Sequence, residues 1–292
     1  MNILTAEHLQ KAYTEERILL KDAAFSLQEG EKVGVIGVNG MGKSTLLKII
    51  AGVEEPDQGA VIMGNHVKTA YLEQTPVLED ADSILKSALK GLDSQDGVLE
   101  GEARSMLHRL GFEDVDQPVK YLSGGQKKRV ALVNVLLKPV EILILDEPTN
   151  HLDSEMSGWL EEYLVKFRGA LVMVTHDRYF LDRIVNRIVE VEYGSIYSYP
   201  GSYADYVALK MQRQSMEQAS ERKRKSILKK ELAWLARGAR ARSTKQKAHI
   251  QRIEDMLAAE GPIEEQAVQL CSAATRMGRK TIEVKGLSKA YG

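Results

Sequence analysis

The sequence predicts an α/β fold built around a phosphate-binding loop, followed by a helical module. The first observation is a GxxxxGK(S/T) stretch at residues 37–45, which lies between an apolar run and a segment with apolar residues at helical spacing. The second is a pair of continuous apolar runs, 142–145 and 171–174, of the kind that form strands buried on both faces of a parallel sheet. The third is residues 203–237, which contain no Gly or Pro and favour a long helix.

The loop at 37–45 has the chemistry of a nucleotide phosphate site. Its glycines let backbone N–H groups turn toward phosphate oxygens, and the following helix adds the positive end of its dipole. Lys43 is expected to reach the β- and γ-phosphates, and Ser44 to ligate Mg²⁺. The predicted nucleoside triphosphate contacts in the loop are Gly37, Val38, Asn39, Gly40, Met41, Gly42, Lys43, Ser44 and Thr45.

Composition restricts the class of protein. The chain has 292 residues and 43% hydrophobic content, enough for one good core and a smaller module. The single cysteine, Cys271, excludes a disulfide framework and fits a reducing compartment, so a cytoplasmic location is expected. No run of about 18 apolar residues occurs, so no membrane contact is expected.

Carboxylates follow the apolar run 142–145. Asp146 and Glu147 come at the end of this run, where carboxylates can bind a Mg²⁺ ion and an attacking water. Asp146 is expected to hold the metal, directly or through water, and Glu147 to orient or deprotonate the water. His176 follows the run 171–174, which places it near the γ-phosphate. Gln74 follows a strand-like segment at 67–71, and its amide oxygen suits Mg²⁺ or the attacking water.

The remaining segments of the first 202 residues are less distinctive. Residues 2–9 and 23–28 alternate as half-exposed strands do, whereas 52–64 is turn-rich. From the residues alone, Tyr13 either packs or stacks on an adenine. Periodicity from 79 to 120 predicts a small helical subdomain, and LSGGQ at 122–126 opens a further helix. Its first-turn cations, Lys127, Lys128 and Arg129, are expected to form a solvated face, with phosphate contact as the second interpretation.

Taken in order, these stretches resemble the ATP-binding cassette ATPases. The resemblance is carried by the loop 37–45, Gln74, LSGGQ, ILILDEPTNHLD at 142–153 and VTHDRYFLD at 174–182. It implies a mixed sheet core with a helical subdomain, and ATP with Mg²⁺ as ligands. It also implies that Tyr13 stacks on adenine, that His176 is the switch histidine, and that Asp153 lies in a loop facing a second cassette. The signature residues that would act on the partner cassette's ATP are Ser123, Gly124, Gly125 and Gln126.

EPTNHLD followed by THDRYFLD resembles the ABC-F group of tandem-cassette proteins that act on ribosomes. Residues 236–248, ARGARARSTKQKA, look most like its Uup-type branch. Residues 287–292 repeat the pattern of 9–14, so we expect a second cassette to begin near 281 and the chain to be the first half of a longer protein. The expected domains are a cassette at 1–202 with its helical subdomain at about 78–138, a linker at 203–275, and the second cassette's start at 281–292.

The linker is strongly basic. Residues 207–257 hold 14 basic and 5 acidic residues, and leucines and isoleucines at helical spacing predict an antiparallel hairpin of two helices. No carboxylate lies between residues 237 and 247, which favours phosphate contact at the tip. The predicted nucleic-acid contacts are Arg237, Arg240, Arg242, Lys245 and Lys247. Arg213, Arg222 and Lys223, on the helix shaft, are expected on a solvated face.

The resemblance implies an ATPase that works on the ribosome, where its linker contacts tRNA and rRNA. Because each site needs the signature of an opposite cassette, this chain alone is expected to hydrolyse ATP weakly unless two copies pair. Two other functions stay open. The hairpin could recognise branched or structured DNA, and an ATPase subunit of a transporter is a third, less favoured hypothesis.

Overall fold

The computed structural model describes residues 1–14, 17–92, 97–236, 244–258, 286 and 288, with backbone alone at 234–236, 244–248 and 258. The strands are β1 Asn2–Thr14, β2 Arg17–Gln28, β3 Lys32–Ile36, β4 Gln58–Met63, β5 Thr69–Leu72, β6 Ile142–Asp146, β7 Ala170–Val174, β8 Arg187–Glu192 and β9 Ser195–Pro200. The helices are α1 Lys43–Ile50, α2 Ile84–Ala88, α3 Val98–Arg109, α4 Gly124–Leu136, α5 Ser154–Lys166, α6 Arg178–Ile184, α7 Tyr203–Ala236 and α8 Thr244–Ala258. The chain forms two compact units, Met1–Arg213 and Gln214–Gly292.

The first unit is built on two sheets. A six-stranded sheet has the order β5-β6-β7-β3-β8-β9, in which only the β8–β9 pair is antiparallel among the described strands. A smaller antiparallel sheet has the order β2-β1-β4. The α/β fold with a mixed sheet and a helical subdomain is therefore confirmed.

Two cores lie on opposite faces of the six-stranded sheet. Strand β6 is buried along its whole length, and its side chains alternate between the cores. Ile142 and Ile144 pack with α1 and the small sheet, whereas Leu143 and Leu145 pack with the helical subdomain. This explains the continuous apolar run, because a strand covered on both faces has no solvent side. The sheet's carboxyl-terminal edge is thereby fixed beside the phosphate loop.

Three strands, β4, β8 and β9, are missing from the sequence-based prediction, and β4 contradicts it directly. Residues 52–64 are predicted to be turn-rich, but the structure places β4 within them, paired with β1. The turn-rich interpretation is therefore wrong at 58–63. Strand β4 is an edge strand whose residues are almost all exposed, so it lacks the alternation that reveals a half-buried strand.

The start of α7 is more buried than the sequence predicts, since a solvated face was expected for the helix shaft. Arg213 is largely buried: its Nη2 lies 2.6 Å from a Glu192 carboxylate oxygen, and its guanidinium lies 3.6 Å above the Tyr197 ring. The prediction is wrong for Arg213 because periodicity does not show that strands β8 and β9 cover this end of the helix. Arg222 and Lys223 are exposed, as predicted.

The second unit contains the rest of α7 and helix α8. Arg224 donates to the Met256 carbonyl oxygen at 2.8 Å, and His249 lies 2.8 Å from Glu231. Residues further along α7 thus contact residues nearer the start of α8, which makes the two helices antiparallel. Ile253 is buried in this contact. The predicted domain boundaries stay a prediction, and the proposed start of a second cassette lies almost entirely outside the described residues.

A glycine substitution tests the pairing of β1 with β4. Gly59 has φ +91°, and a Cβ there would lie 2.4 Å from the carbonyl oxygens of Glu7 and His8. Gly52 has φ +72° but open space around it. We expect Gly59→Ala to lower the free energy of unfolding by about 2 kcal/mol more than Gly52→Ala, because the two share backbone strain and only one adds a clash. Urea unfolding measures the difference, and equal losses would contradict the register.

Candidate nucleotide-binding and catalytic site

The phosphate loop connects β3 to α1 and needs its glycines. Gly37, Gly40 and Gly42 have φ values of 147°, 83° and 100°. A Cβ on Gly37 would lie 2.3 Å from the Val191 carbonyl oxygen. The sequence therefore places glycines where backbone conformation and close packing leave no room for a side chain.

Lys43 lies inside the loop that it is predicted to serve. Its Nζ donates to the carbonyl oxygens of Gly37 and Val38 at 2.9 and 3.3 Å and to Asn39 Oδ1 at 3.2 Å. Burial lowers the pKa of Lys43, while the nearby Glu147 and Asp146 act in the opposite direction. The ammonium is thus held by weak neutral acceptors, which phosphate oxygens would replace with stronger charge-assisted bonds.

Asp146 and Glu147 are buried at the end of β6, with relative exposures of 1% and 4%. Burial raises the pKa of both carboxyl groups. Within the described residues, both Asp146 oxygens and Glu147 Oε2 lack a hydrogen-bond partner. Buried carboxylates without partners are costly to keep, so they mark a place where a cation or water completes the site.

Glu147 also has a strained backbone and one close neighbour. Its φ is 53°, a conformation that side chains rarely adopt, and its N–H donates to the Val174 carbonyl oxygen at 2.8 Å. Its Oε1 lies 3.3 Å from His176 Nε2. The ends of β6 and β7 therefore bring the predicted pair together, and the strain marks a functional position.

The residues predicted to hold Mg²⁺ fit the ion by their chemistry. Asp146 offers two unpartnered oxygens, and Ser44 acts with Lys128 and Lys43 to oppose the upward shift of the pKa of Asp146. Gln74 follows β5, whose Leu72 is paired with Leu145, so it lies at the same sheet edge. These are the hard oxygen donors that Mg²⁺ prefers. The described residues contain no cluster of three or more His, Cys, Asp or Glu side chains suited to a metal, so phosphate oxygens and water would complete the coordination.

Tyr13, the signature residues and Asp153 have contacts of their own. Tyr13 is near the end of β1, with half its surface exposed, and its hydroxyl lies 3.2 Å from a Glu54 carboxylate oxygen. Ser123 caps α4 in a reciprocal arrangement with Gln126, and Gly125 packs against His151. Asp153 caps α5 through the Met156 N–H at 2.9 Å. Gly124 is exposed.

Lys127, Lys128 and Arg129 were expected to form a solvated face. This prediction is wrong for Lys128 and Arg129. Lys128 has 4% exposure, and its charge is close enough to Asp146 and Glu147 to oppose the lowering of its pKa by burial. Arg129 Nη1 donates to the Leu110 carbonyl oxygen at 2.7 Å. Helix α4 packs between the helical subdomain and the sheet, so its first turn has little free surface.

Sequence reasoning therefore missed Lys128 as a neighbour of the carboxylates. The available signal was its place two residues after LSGGQ, one helical turn from the glycines. The predicted nucleic-acid contacts cannot be placed. Arg237, Arg240 and Arg242 lie outside the described residues, and Lys245 and Lys247 are described by backbone alone.

A pair of adjacent lysines tests the role of the buried charge. Lys128→Met keeps the volume but leaves Asp146 and Glu147 with less positive charge nearby, so we expect MgATP affinity to fall roughly tenfold. Lys127→Met is the matched control, since Lys127 pairs with the exposed Asp80 at 2.9 Å. Displacement of a fluorescent ATP analogue measures both. Equal affinities for the two variants would contradict a role for Lys128.

Comparisons with known proteins agree with this geometry. Two family models, both described as ABC transporter, match residues 20–150 and 189–270. Two solved structures share the fold. An ATP-binding subunit of an ABC transporter is 25% identical with a TM-score of 0.61, covering 70% of this chain and 91% of its own. A dimeric post-hydrolysis ATP-binding cassette bound to ADP and Pi is 26% identical with a TM-score of 0.58, covering 68% of this chain and 98% of its own.

The curated relatives are longer. The uncharacterized ABC transporter ATP-binding protein YfmR of Bacillus subtilis is 40% identical over 100% of this chain and 52% of its own length. The energy-dependent translational throttle protein EttA of Haemophilus influenzae is 34% identical over 99% of this chain and 59% of its own, and that of Escherichia coli K12 is 34% identical over 99% and 60%. The chain thus spans little more than half the length of these relatives.

These matches cover the phosphate loop, the signature helix, the strand-end carboxylates and the start of the helical module. They agree with the ABC-F resemblance, whereas the Uup-type assignment stays a prediction. Within the described parts of the chain, no helix has the length and apolar character to cross a membrane. On the combined evidence of motifs, fold and relatives, the chain belongs to the ATP-binding cassette ATPases.

Proposed function

We propose that this chain binds and hydrolyses ATP as one half of a tandem-cassette protein, whose ATP-driven closure positions a basic helical hairpin on the ribosome. One observation carries the enzymatic part. Lys43, the unpartnered carboxylates of Asp146 and Glu147, and His176 converge at one edge of the parallel sheet.

Nucleotide binding begins with an exchange of partners at Lys43. Its ammonium leaves the neutral oxygens of Gly37, Val38 and Asn39 for the β- and γ-phosphates, whose negative charge it stabilises. Backbone N–H groups at the start of α1 contribute to the same cradle. Tyr13 offers an exposed ring to the adenine, with its hydroxyl held near Glu54 and Thr45.

Asp146, Ser44 and Gln74 would hold Mg²⁺, which when bound neutralises phosphate charge and favours in-line attack on the γ-phosphate. Glu147 orients the attacking water and accepts its proton, because its Oε2 is the unpartnered oxygen. His176 holds the other oxygen at 3.3 Å and is itself exposed, so it faces the γ-phosphate side.

The signature loop serves a partner in this proposal. Ser123, Gly124, Gly125 and Gln126 act on ATP held by a second cassette, and Asp153 contributes to the loop that faces it. The cap of α4 occupies the N–H groups of Ser123 and Gln126, and the remaining N–H groups of the first turn would serve the anion, as helix N-termini do. This chain alone would then bind MgATP and hydrolyse it slowly, unless two copies pair.

Similarity to the EttA proteins supports the ribosomal part, since they are named energy-dependent translational throttle proteins and match 99% of this chain. The hairpin adds a physical reason. Its tip sequence carries five cations without a carboxylate, which suits contact with tRNA and rRNA phosphates in the cytoplasm. The same charge would suit branched DNA, which is the alternative function. Several of the matches carry transporter names, but the EttA proteins match 99% of this chain, so a transporter subunit stays the less favoured hypothesis.

Removal of the proposed catalytic base, Glu147, should separate ATP binding from ATP hydrolysis. In the full-length protein, Glu147→Gln with the equivalent change in the second cassette should keep MgATP binding and slow turnover by several powers of ten, because the attacking water loses its base. The protein should also accumulate on ribosomes when sedimented with ATP. Glu155→Gln, an exposed residue on α5, is the matched control. Undiminished hydrolysis in the double variant would remove Glu147 from this role.

A salt series tests the hairpin tip. Replacing Arg237, Arg240, Arg242, Lys245 and Lys247 with Ala should weaken ribosome binding and reduce the log–log salt slope by roughly one unit per lost phosphate contact. The control changes five exposed shaft cations, Arg222, Lys223, Lys225, Lys229 and Lys230, to Ala.

We expect the shaft variant to lose less affinity than the tip variant. Equal losses would show a diffuse electrostatic arm instead of a specific tip. A parallel series with a DNA junction separates the two functions, since a loss on the junction without one on ribosomes would favour the DNA alternative.

A further inference from the structure

The first turns of α7 are fastened to the sheet by a buried acidic residue on β8. Glu190 has 3% exposure, and its carboxylate accepts hydrogen bonds from Tyr206 at 2.9 Å and Tyr199 at 3.2 Å. It also pairs with Lys210 and, at 3.2 Å, with Arg213. Three of these four partners lie on α7, so this one carboxylate joins the helix to the strand.

The hydrogen-bonded contacts are charge-assisted and shielded from water. Burial and the neighbouring Glu190 raise the pKa of Tyr199 to about 12, so its hydroxyl keeps the proton that it donates. A buried charge with several partners resists separation, because removing any partner leaves the rest in a medium that solvates them poorly. The base of α7 therefore moves with β8 as one body.

Strand β8 in turn touches the phosphate loop. It pairs with β3, and Glu190 stands in register with Ile36, the last residue before the loop. The next residue, Val191, places its carbonyl oxygen where a Cβ on Gly37 would lie 2.3 Å away. A displacement of the peptide at Gly37 would therefore also displace β8, the strand that holds α7.

A second connection runs through α6. Asp182 accepts a hydrogen bond from the Tyr203 N–H at 3.0 Å, and the Arg178 guanidinium lies 5.5 Å above the Tyr203 ring. Helix α6 begins two residues after His176, which lies 3.3 Å from Glu147. The first residue of α7 is therefore held by the helix that follows the switch histidine.

A cavity of 240 Å³ lies between these two connections. Gly37, Lys43 and His176 line it on the nucleotide side, and Tyr203, Tyr206 and Lys210 line it on the helix side. No packed layer separates the phosphate loop from the base of α7 there. A change in the loop therefore alters the space directly beside Tyr203 and Tyr206.

We propose that Arg178, Asp182 and Glu190 are coupling residues, which transmit the nucleotide state of the phosphate loop to the first turns of α7. Arg178 and Glu190 line the cavity together with Lys43, but none of the hydrogen bonds or ion pairs among the described residues joins the three to Lys43, Asp146 or Glu147, so we assign them a positioning role. The inference rests on the proposed function in one respect, that α7 is the arm the ATPase moves. It differs from that function in naming the contacts that carry the movement.

Hydrogen exchange with mass spectrometry tests the coupling on this chain alone. We expect MgATP to change amide exchange at residues 203–213 relative to the nucleotide-free protein. In Arg178→Ala, that change should fall at least threefold while MgATP affinity stays within twofold. Arg183→Ala is the matched control, since Arg183 lies on the same helix but pairs with Glu161 at 2.8 Å, and it should behave as the parent.

A second variant guards against an effect of folding. Glu190→Gln keeps the shape of the side chain but removes its charge. Amide exchange at residues 203–213 should therefore rise both with and without MgATP, and it should no longer depend on the nucleotide. Amide exchange in β6 and β7 should stay at the parent level. Absence of a nucleotide effect in the parent, or identical behaviour of the two arginine variants, would overturn the proposal. Loss of MgATP affinity beyond tenfold in Arg178→Ala would also overturn it, because the arginine would then be a nucleotide ligand. No ribosome enters the test, so its failure is distinct from failure of the ribosomal role.

Discussion

The structure depends on the burial of two carboxylates at the edge of a parallel sheet, directly against a phosphate loop. Asp146 and Glu147 are withdrawn from water and, among the described residues, lack hydrogen bonds for most of their oxygens, while Ser44, Lys43, Lys128 and His176 offset part of their charge. Such an arrangement is unfavourable for the folded chain by itself. Under the proposed function, a cation and an ordered water would occupy the site and offset this cost.

The second notable feature is how the cassette holds its helical module. The same sheet that presents the carboxylates also supplies Glu190, whose burial is compensated by Tyr199, Tyr206, Lys210 and Arg213. The buried acidic side chains of the fold thus differ in their surroundings. Asp146 and Glu147, near the phosphate loop, keep unpartnered oxygens among the described residues, whereas Glu190, near α7, has four partners.

Much of the fold and the site follows from sequence, for identifiable reasons. The loop 37–45 and strands β6 and β7 are contiguous, so local periodicity reveals them, and polar residues at parallel strand ends must share an edge. Residues whose roles depend on distant contacts were not predicted. Lys128 looks like any first-turn lysine until the sheet is placed beside it, and β4 carries no alternation because it is an exposed edge.

Arg213 is a further residue whose contacts could not be predicted from the sequence. In the sequence it is one of several cations along a long helix, and its contacts with Glu192 and Tyr197 on strands β8 and β9 become visible only in the structure. Asp153 and Gln126 also serve folding, since Asp153 caps α5 and Gln126 completes the cap of α4. The family resemblance assigns Asp153 to a loop that faces a second cassette and Gln126 to the ATP of the partner cassette.

The most direct test of the central claim is a calorimetric titration of this chain with ATP, in Mg²⁺ and again with the metal chelated. The account predicts binding at one site with Mg²⁺, weakened at least tenfold by chelation, because the buried carboxylate of Asp146 then faces the phosphates without a cation between them. Binding of equal strength with and without the metal would contradict it, as would the absence of any binding in Mg²⁺.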